Sequence, residues 1–228
     1  YDAGGNVTQI TDDSDNDTFY AYDGTGNRTS ATDANDHTTT FEYDDYGQMT
    51  KVTNAENEFT TYAYDIMGNR TSVTDPNSNT TTFQYDEMNN LTKVTDPLDK
   101  YVTYEYDRLG NRTKVIDQNN NATTYEYNWR QKVTNITDAL NQETDFAYDA
   151  IGNLTSMTDA KNNITEFAYE FGTACGGCGG SGEVVTKITY PNYDYETYQY
   201  DANGNLTLKT DCNGDTITYA YDALNRMT

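Results

Sequence analysis

Positive charge is scarce in this 228-residue sequence. Fourteen Lys and Arg stand against 37 Asp and Glu, a formal net charge of -23. Nucleic-acid recognition needs a basic face, so this balance excludes it, and it disfavours anionic membrane surfaces. Hydrophobic residues make up only 35% of the chain, too few for a thick aliphatic core. No apolar run approaches the length of a bilayer span, so membrane insertion is not expected. His37 is the only histidine, which leaves no Ser/His/Asp or Cys/His catalytic set away from that position. Helical apolar spacing is missing as well, and no Gly-rich phosphate loop precedes a helix. Such a chain can be soluble, gather cations and meet partners that carry positive charge.

What is present is order. Tyr stands at 1, 22, 43, 64, 85, 106, 127, 148 and 169, then at 200 and 221. The spacing is 21 except for one gap of 31, so a single repeat carries ten extra residues, around "FGTACGGCGGSGE". Thr recurs seven residues after each Tyr, as at Thr29, Thr50 and Thr71, with Thr186 as the equivalent after the insertion that follows Tyr169. A second aromatic stands two residues before each Tyr from the second onward, as at Tyr20, Phe41, Tyr62, Phe83 and Tyr104. These two rows hold 21 of the 29 Tyr and Phe residues. The aromatics therefore have a local architectural role in every unit. Tyr22, Tyr43, Tyr64, Tyr85 and Tyr106 form one row, and Phe41, Tyr62, Phe83 and Tyr104 the other.

Each unit reads as two short strands and two turns. "TTFQYD" (81–86) alternates so that Thr81, Phe83 and Tyr85 share a face. "NRTKVI" (111–116) is the return strand, rich in residues that suit a pleated surface. Between them lie Asp-x-x-Gly turns (Asp65 to Gly68, Asp107 to Gly110, Asp149 to Gly152) and Asp-x-x-Asn turns such as Asp117 to Asn120. Asp opens a turn by accepting backbone N–H groups two residues on, Pro suits the next position, and Gly or Asn supplies the positive φ that ends a bulged hairpin turn. The expected fold is all-β: an antiparallel hairpin meander of 21-residue units. About 20 strands at ~4.8 Å give a ribbon on the order of 100 Å, which must twist into a spiral, tube or solenoid. One face is expected to bury the Tyr/Phe pairs beside Ile10, Val52, Val73, Val94, Val115 and Ile136, and stacking supplies the stability that one unit lacks. Residues 1–169 hold regular register, 170–182 form a Gly/Cys-rich insertion, and 183–228 resume the repeat.

The pattern Tyr-Asp-x-x-Gly-Asn-(Arg/Leu)-Thr-x-Val-Thr-Asp, followed by Thr-x-Tyr-x-Tyr-Asp, resembles the YD repeat of the RHS family. The resemblance covers the chain apart from roughly 170 to 182. It implies long β-ribbons that spiral into hollow shells or tubes, in large secreted or cell-surface bacterial proteins. Many of these are polymorphic toxins whose shell encloses a C-terminal toxic domain, and similar shells occur in toxin-complex insecticidal proteins and teneurins. The chain opens at Tyr1 and ends part-way through a repeat, so it reads as a segment of a longer extracellular or surface protein. Uniform spacing favours an extended fibre or open tube over a closed shell. The expected partners are further repeats of the same chain or copies of itself, with toxin cargo or a glycan stacked on Tyr rows as alternatives.

Chemical candidates compete with plainer roles. Ten interchangeable Asp pairs are the opposite of one special acid/base pair, so no catalytic residue is expected and the unit is read as a non-enzyme. Acidic loops such as "DDSDND" (12–17) offer oxygen ligands but lack the spacing of a calcium loop, so at most weak Ca²⁺ association and no cofactor is expected. Cys175 and Cys178 have metal-knuckle or redox spacing, yet His37 is about six repeats away and no helix follows. A structural disulfide is the favoured reading, either Cys175–Cys178 or one of them with Cys212. Asn-x-Thr sequons recur at Asn27, Asn69, Asn111, Asn153 and Asn205, among others. They are glycan acceptors in a glycosylating secretory pathway and otherwise simply the start of each return strand.

Overall fold

The computed structural model describes residues 1–171 and 183–228. All elements among the described residues are β-strands. The chain divides into two compact units, Tyr1–Asn121 and Ala122–Thr228.

The first unit contains β1 (Gln9–Thr11), β2 (Asp17–Tyr22), β3 (Arg28–Thr32), β4 (Thr38–Tyr43), β5 (Met49–Thr53) and β6 (Phe59–Tyr64). It continues with β7 (Arg70–Thr74), β8 (Thr80–Tyr85), β9 (Leu91–Thr95), β10 (Tyr101–Tyr106) and β11 (Arg112–Ile116). Each strand pairs antiparallel with the next. The second unit contains β12 (Ala122–Tyr127), β13 (Val133–Thr137), β14 (Glu143–Tyr148), β15 (Leu154–Thr158) and β16 (Ile164–Phe171). Then come β17 (Glu183–Thr189), β18 (Tyr195–Tyr200), β19 (Leu206–Thr210) and β20 (Thr216–Thr218), again paired in sequence. Glu170 and Phe171 still belong to a strand and pair with Val184 and Glu183.

Two kinds of ladder alternate. Within a Gly-turn hairpin the register runs Thr40↔Thr53, Phe41↔Val52, Glu42↔Lys51, then shifts to Tyr43↔Met49. Thr50 is the extra residue of that bulge. The invariant Thr seven places after Tyr thus marks a bulge, which bends and twists a strand. Its hydroxyl can bond back across the hairpin: Thr92 Oγ1 donates to the Gln84 carbonyl at 3.1 Å, and Thr207 Oγ1 to Gln199 at 3.1 Å. Between hairpins the ladder is shorter, with three rungs such as Ser30↔Thr40, Ala31↔Thr39 and Thr32↔Thr38.

The strand ends differ by one residue from the sequence reading. "TTFQYD" folds as Thr80–Tyr85 and "NRTKVI" as Arg112–Ile116. Asp86 and Asn111 are turn residues because their backbone groups close turns: Asp107 N–H donates to the Asn111 carbonyl at 2.9 Å, and Asp86 N–H to Asn90 at 3.0 Å. The expected burial of the aromatic face is corrected too. Tyr20, Phe41, Tyr62, Phe83 and Tyr104 are only half-buried, and no residue among those described is fully buried. Each unit is a single sheet layer with no second layer to exclude water from its face. Stability therefore comes from ladder bonds and lateral side-chain contact rather than from an enclosed core.

Candidate functional site

The recurring chemistry begins at the turn. In Asp65–Asn69 the Asp65 Oδ1 accepts the N–H of Met67 and of Asn69, both at 2.9 Å, and Oδ2 accepts Asn69 Nδ2 at 3.0 Å. The Gly68 N–H donates to the Asp65 carbonyl at 3.1 Å, and Gly68 takes φ +88. Asp107 repeats the set on Leu109 and Asn111, with Gly110 at φ +81. Asp149 repeats it on Ile151 and Asn153 and adds the Gly152 N–H at 2.7 Å. Both carboxylate oxygens thus accept donors.

Hydrogen bonds to a carboxylate favour its charged form. The Asn69 side-chain amide leads in holding Asp65 below its usual range, and the Asn111 amide does so for Asp107. At Asp149 desolvation pushes upward, and the N–H groups of Asn153 and Gly152 outweigh it. Asp23 falls to about 2, first through the Thr25 hydroxyl.

This geometry explains the Asn after each Gly. Asn27, Asn69, Asn111, Asn153 and Asn205 are half-buried and donate Nδ2 to Asp23, Asp65, Asp107, Asp149 and Asp201. Nδ2 is also the atom to which a glycan would be joined. On the opposite edge the positive φ falls on Asp36, Asn57, Ser78, Asp99 and Asn120, so that turn tolerates several residue types where the Gly edge mostly uses Gly.

The Tyr row is a row of clamps. Tyr43 OH donates to the Arg28 carbonyl at 2.9 Å, Tyr64 OH to Met49 at 2.9 Å, and Tyr85 OH to Arg70 at 3.1 Å. Tyr22, Tyr106, Tyr148 and Tyr200 do the same to Val7, Leu91, Val133 and Val185. Each bond runs 15 residues back, into the preceding hairpin. It falls beyond the last rung between hairpins, where the backbone ladder has stopped. Burial pushes the phenols of Tyr64, Tyr106, Tyr148 and Tyr200 upward.

The second aromatic row meets cations that sequence reading missed. Arg28 lies over Tyr20 at 5.5 Å and over Phe41 of the next hairpin at 4.8 Å. Arg70 lies over Tyr62 at 5.9 Å and Phe83 at 5.2 Å, and Arg112 over Tyr104 at 5.8 Å. Cation–π contact of this kind ties neighbouring hairpins together. The signal was in the sequence as a doubled period: Arg28, Arg70 and Arg112 alternate with Met49 and Leu91. A second missed group breaks the pattern. Glu196 accepts the hydroxyls of Tyr190 and Tyr198 and pairs with Lys209 Nζ at 2.9 Å. Other units hold uncharged residues such as Thr81 and Val94 at the positions of Glu196 and Lys209.

The remaining candidates are dispersed. His37 is exposed and faces Asp33 at 3.2 Å. Trp129 is 81% exposed and stacks with Arg130 at 4.5 Å. Cys212 is exposed in the Asp211–Gly214 turn and has no disulfide partner among the described residues, while Cys175 and Cys178 lie outside them, as does any pairing with them. Among the described residues no His/Cys/Asp/Glu group is arranged to hold a metal ion. No helix among them is long and apolar enough to cross a membrane. The hollow beside the 44–48 and 64–68 hairpins, lined by Tyr46, Gln48, Tyr62 and Met67, is an open groove of about 500 Å³.

Comparison with known proteins adds family and fold. The sequence profile described as RHS Repeat matches residues 1–38, 22–58, 43–80, 68–100, 89–122, 130–164 and 200–228. No curated protein matches the chain by sequence. Among solved structures, the chain is similar to the crystal structure of TcdB2–TccC3 without its hypervariable C-terminal region, at TM-score 0.64 and 14% identity. It is also similar to TcdB2–TccC3–TEV (0.60, 17%) and to the Photorhabdus luminescens Tc holotoxin pore carrying a TccC3 mutation (0.50, 14%). These alignments take in 100% of this chain but 16%, 15% and 16% of the other chains. At such identities the likeness is one of fold, over about a sixth of those chains.

Proposed function

The chain belongs to the RHS repeat family, and from that premise we propose that it is a non-catalytic wall segment of a large secreted or surface protein, building an extracellular fibre or tube. The observation that carries this reading is the Tyr clamp, repeated from hairpin to hairpin with the same 15-residue reach. A bond that joins each unit to the one before it, in an array whose described residues form no enclosed core, serves extension rather than a single site. The turn carboxylates are occupied by N–H donors and are equivalent from unit to unit, which supports a structural role over acid/base work.

A second reading is favoured by the fold likeness to TcdB2–TccC3, whose compared form lacks a hypervariable C-terminal region. There the wall would be part of a β-shell around a C-terminal cargo domain carried by the parent protein. Electron microscopy of the native parent particle separates the two: long filaments support the fibre, and closed cocoons overturn it in favour of the shell. Compact globular particles with no hollow or filament would overturn both.

A further inference from the structure

The two edges of the Tyr1–Asn121 unit differ in a way that neither the repeat nor the wall reading requires. All Gly-type turns lie on one edge of the meander, because they join the strands of each bulged hairpin, and the other turns lie on the opposite edge. The tips of four consecutive Gly-edge turns carry Tyr46 (85% exposed), Ile66 with Met67 (97% and 68%), Met88 (61%) and Leu109 (65%). The opposite edge presents Asn35, Glu56 and Asn77 at the matching places, and Leu98 is its one large apolar tip. Successive tips are two strands apart, roughly 10 Å. Solvated turn tips need no large apolar side chain, and a contiguous exposed row of them marks an interaction surface.

We propose that this Gly edge is a self-association surface, taken by the same edge of a second copy of the chain in a two-fold arrangement centred between the Met67 and Met88 tips. Three arguments select that occupant. The row has a ~10 Å repeat, and a partner matches it over several tips only if it carries the same repeat. The opposite edge, polar and acidic apart from Leu98, offers only that one apolar tip against the methionines, so the match is like edge to like edge, as in an isologous dimer. Charge agrees with this register. Reversing the order of tips sets Tyr46 against Leu109 of the second copy, which brings Asp45 beside Arg108 of the second copy, twice by symmetry. At roughly 100 Å² of apolar surface per side chain, the five side chains bury about 1,000 Å² over both copies, the lower bound of a specific interface. The isolated chain should therefore dimerise weakly, and longer runs of the repeat should do so more strongly. In the Ala122–Thr228 unit both edges carry exposed large side chains, Trp129, Ile151 and Leu224 on one and Leu140 and Tyr193 on the other, so the asymmetry belongs to the Tyr1–Asn121 unit.

Sedimentation equilibrium of the full 228-residue chain, with reductant so that thiols cannot link copies, tests the proposal. The wild type should show a monomer–dimer equilibrium at a few hundred micromolar. Met67→Ser with Met88→Ser should weaken it at least tenfold, while Leu98→Ser on the other edge leaves it unchanged. Arg108→Glu should weaken it at least fivefold, and adding Asp45→Arg in the same chain should restore it. All these positions lie at turn tips, and unchanged far-UV circular dichroism shows that each variant folds. A wild type that stays monomeric at 0.5 mM, a Leu98→Ser effect equal to that of the Met pair, or a charge swap without rescue overturns the proposal. None of those results bears on the wall reading, which rests on imaging of the parent particle.

Discussion

Tyr64→Phe removes one oxygen and keeps the ring. The hydroxyl donates to the Met49 carbonyl at 2.9 Å from a half-buried position. A net intramolecular hydrogen bond is worth about 1 kcal/mol, and the ring contacts are unchanged. Tyr62→Phe is the control, on the same strand and face, because the Tyr62 hydroxyl makes no hydrogen bond to a described residue. In a repeat array each unit contacts only its neighbours, so the loss should be local. Hydrogen exchange of peptides spanning 43–74 should speed up about fivefold in Tyr64→Phe and not in Tyr62→Phe. The clamp also has a pH signature. Burial raises the Tyr64 phenol above its ordinary value, so the folded state holds that proton more tightly than the unfolded chain does. Its contribution is complete below about pH 10, the unfolded value, and is lost as pH rises through the folded value. Tyr64→Phe should therefore reduce the alkaline loss of protection in this segment. Equal exchange in the two variants at neutral pH would refute the clamp as an energetic link between hairpins.

Four other outcomes follow from the turns. Gly68→Ala should destabilise by about 1–2 kcal/mol, because φ +88 is unfavourable for an L-residue; its new Cβ would also meet Gln48 Nε2 at 3.1 Å, a flexible neighbour. Tyr193→Gly should shift stability the other way by about 1 kcal/mol, since Tyr193 holds φ 67 with a bulky side chain, and urea midpoints check both changes. Lowered turn carboxylates such as Asp23, at about 2, contribute stability that is present above their unfolded value near 4 and lost as pH falls through 2. Acid titration followed by far-UV circular dichroism should thus show loosening between about pH 4 and 2, and Asp23→Asn should shrink that dependence. Because the turn carboxylates already accept N–H groups, CaCl₂ and NaCl at equal ionic strength should give the same urea midpoint; a calcium-specific rise would reveal a cation site.

The sequence by itself determined the period, the all-β class, the antiparallel order and the places of the turns. A hairpin is a local object: Asp65, Gly68 and Asn69 lie within five residues, so propensity and spacing decide their contacts before any distant residue matters. Even here the strand ends slipped by one residue, because Asn111 looks like the start of a strand yet spends its side chain and carbonyl on Asp107. The doubled period of Arg28, Arg70 and Arg112 was readable but hidden under the stronger 21-residue signal. Only the tertiary structure decided what crosses between hairpins. The bulge at Thr50 offsets the register, the short ladder between hairpins leaves a gap beyond its last rung, and that gap is where Tyr64 reaches Met49. It also decided that the aromatic face of each unit stays half-open, since each unit is a single sheet layer with nothing packed over that face. Contacts 15 residues apart depend on register, bulge and strand spacing together, and those are set by pairing rather than by any one stretch of chain.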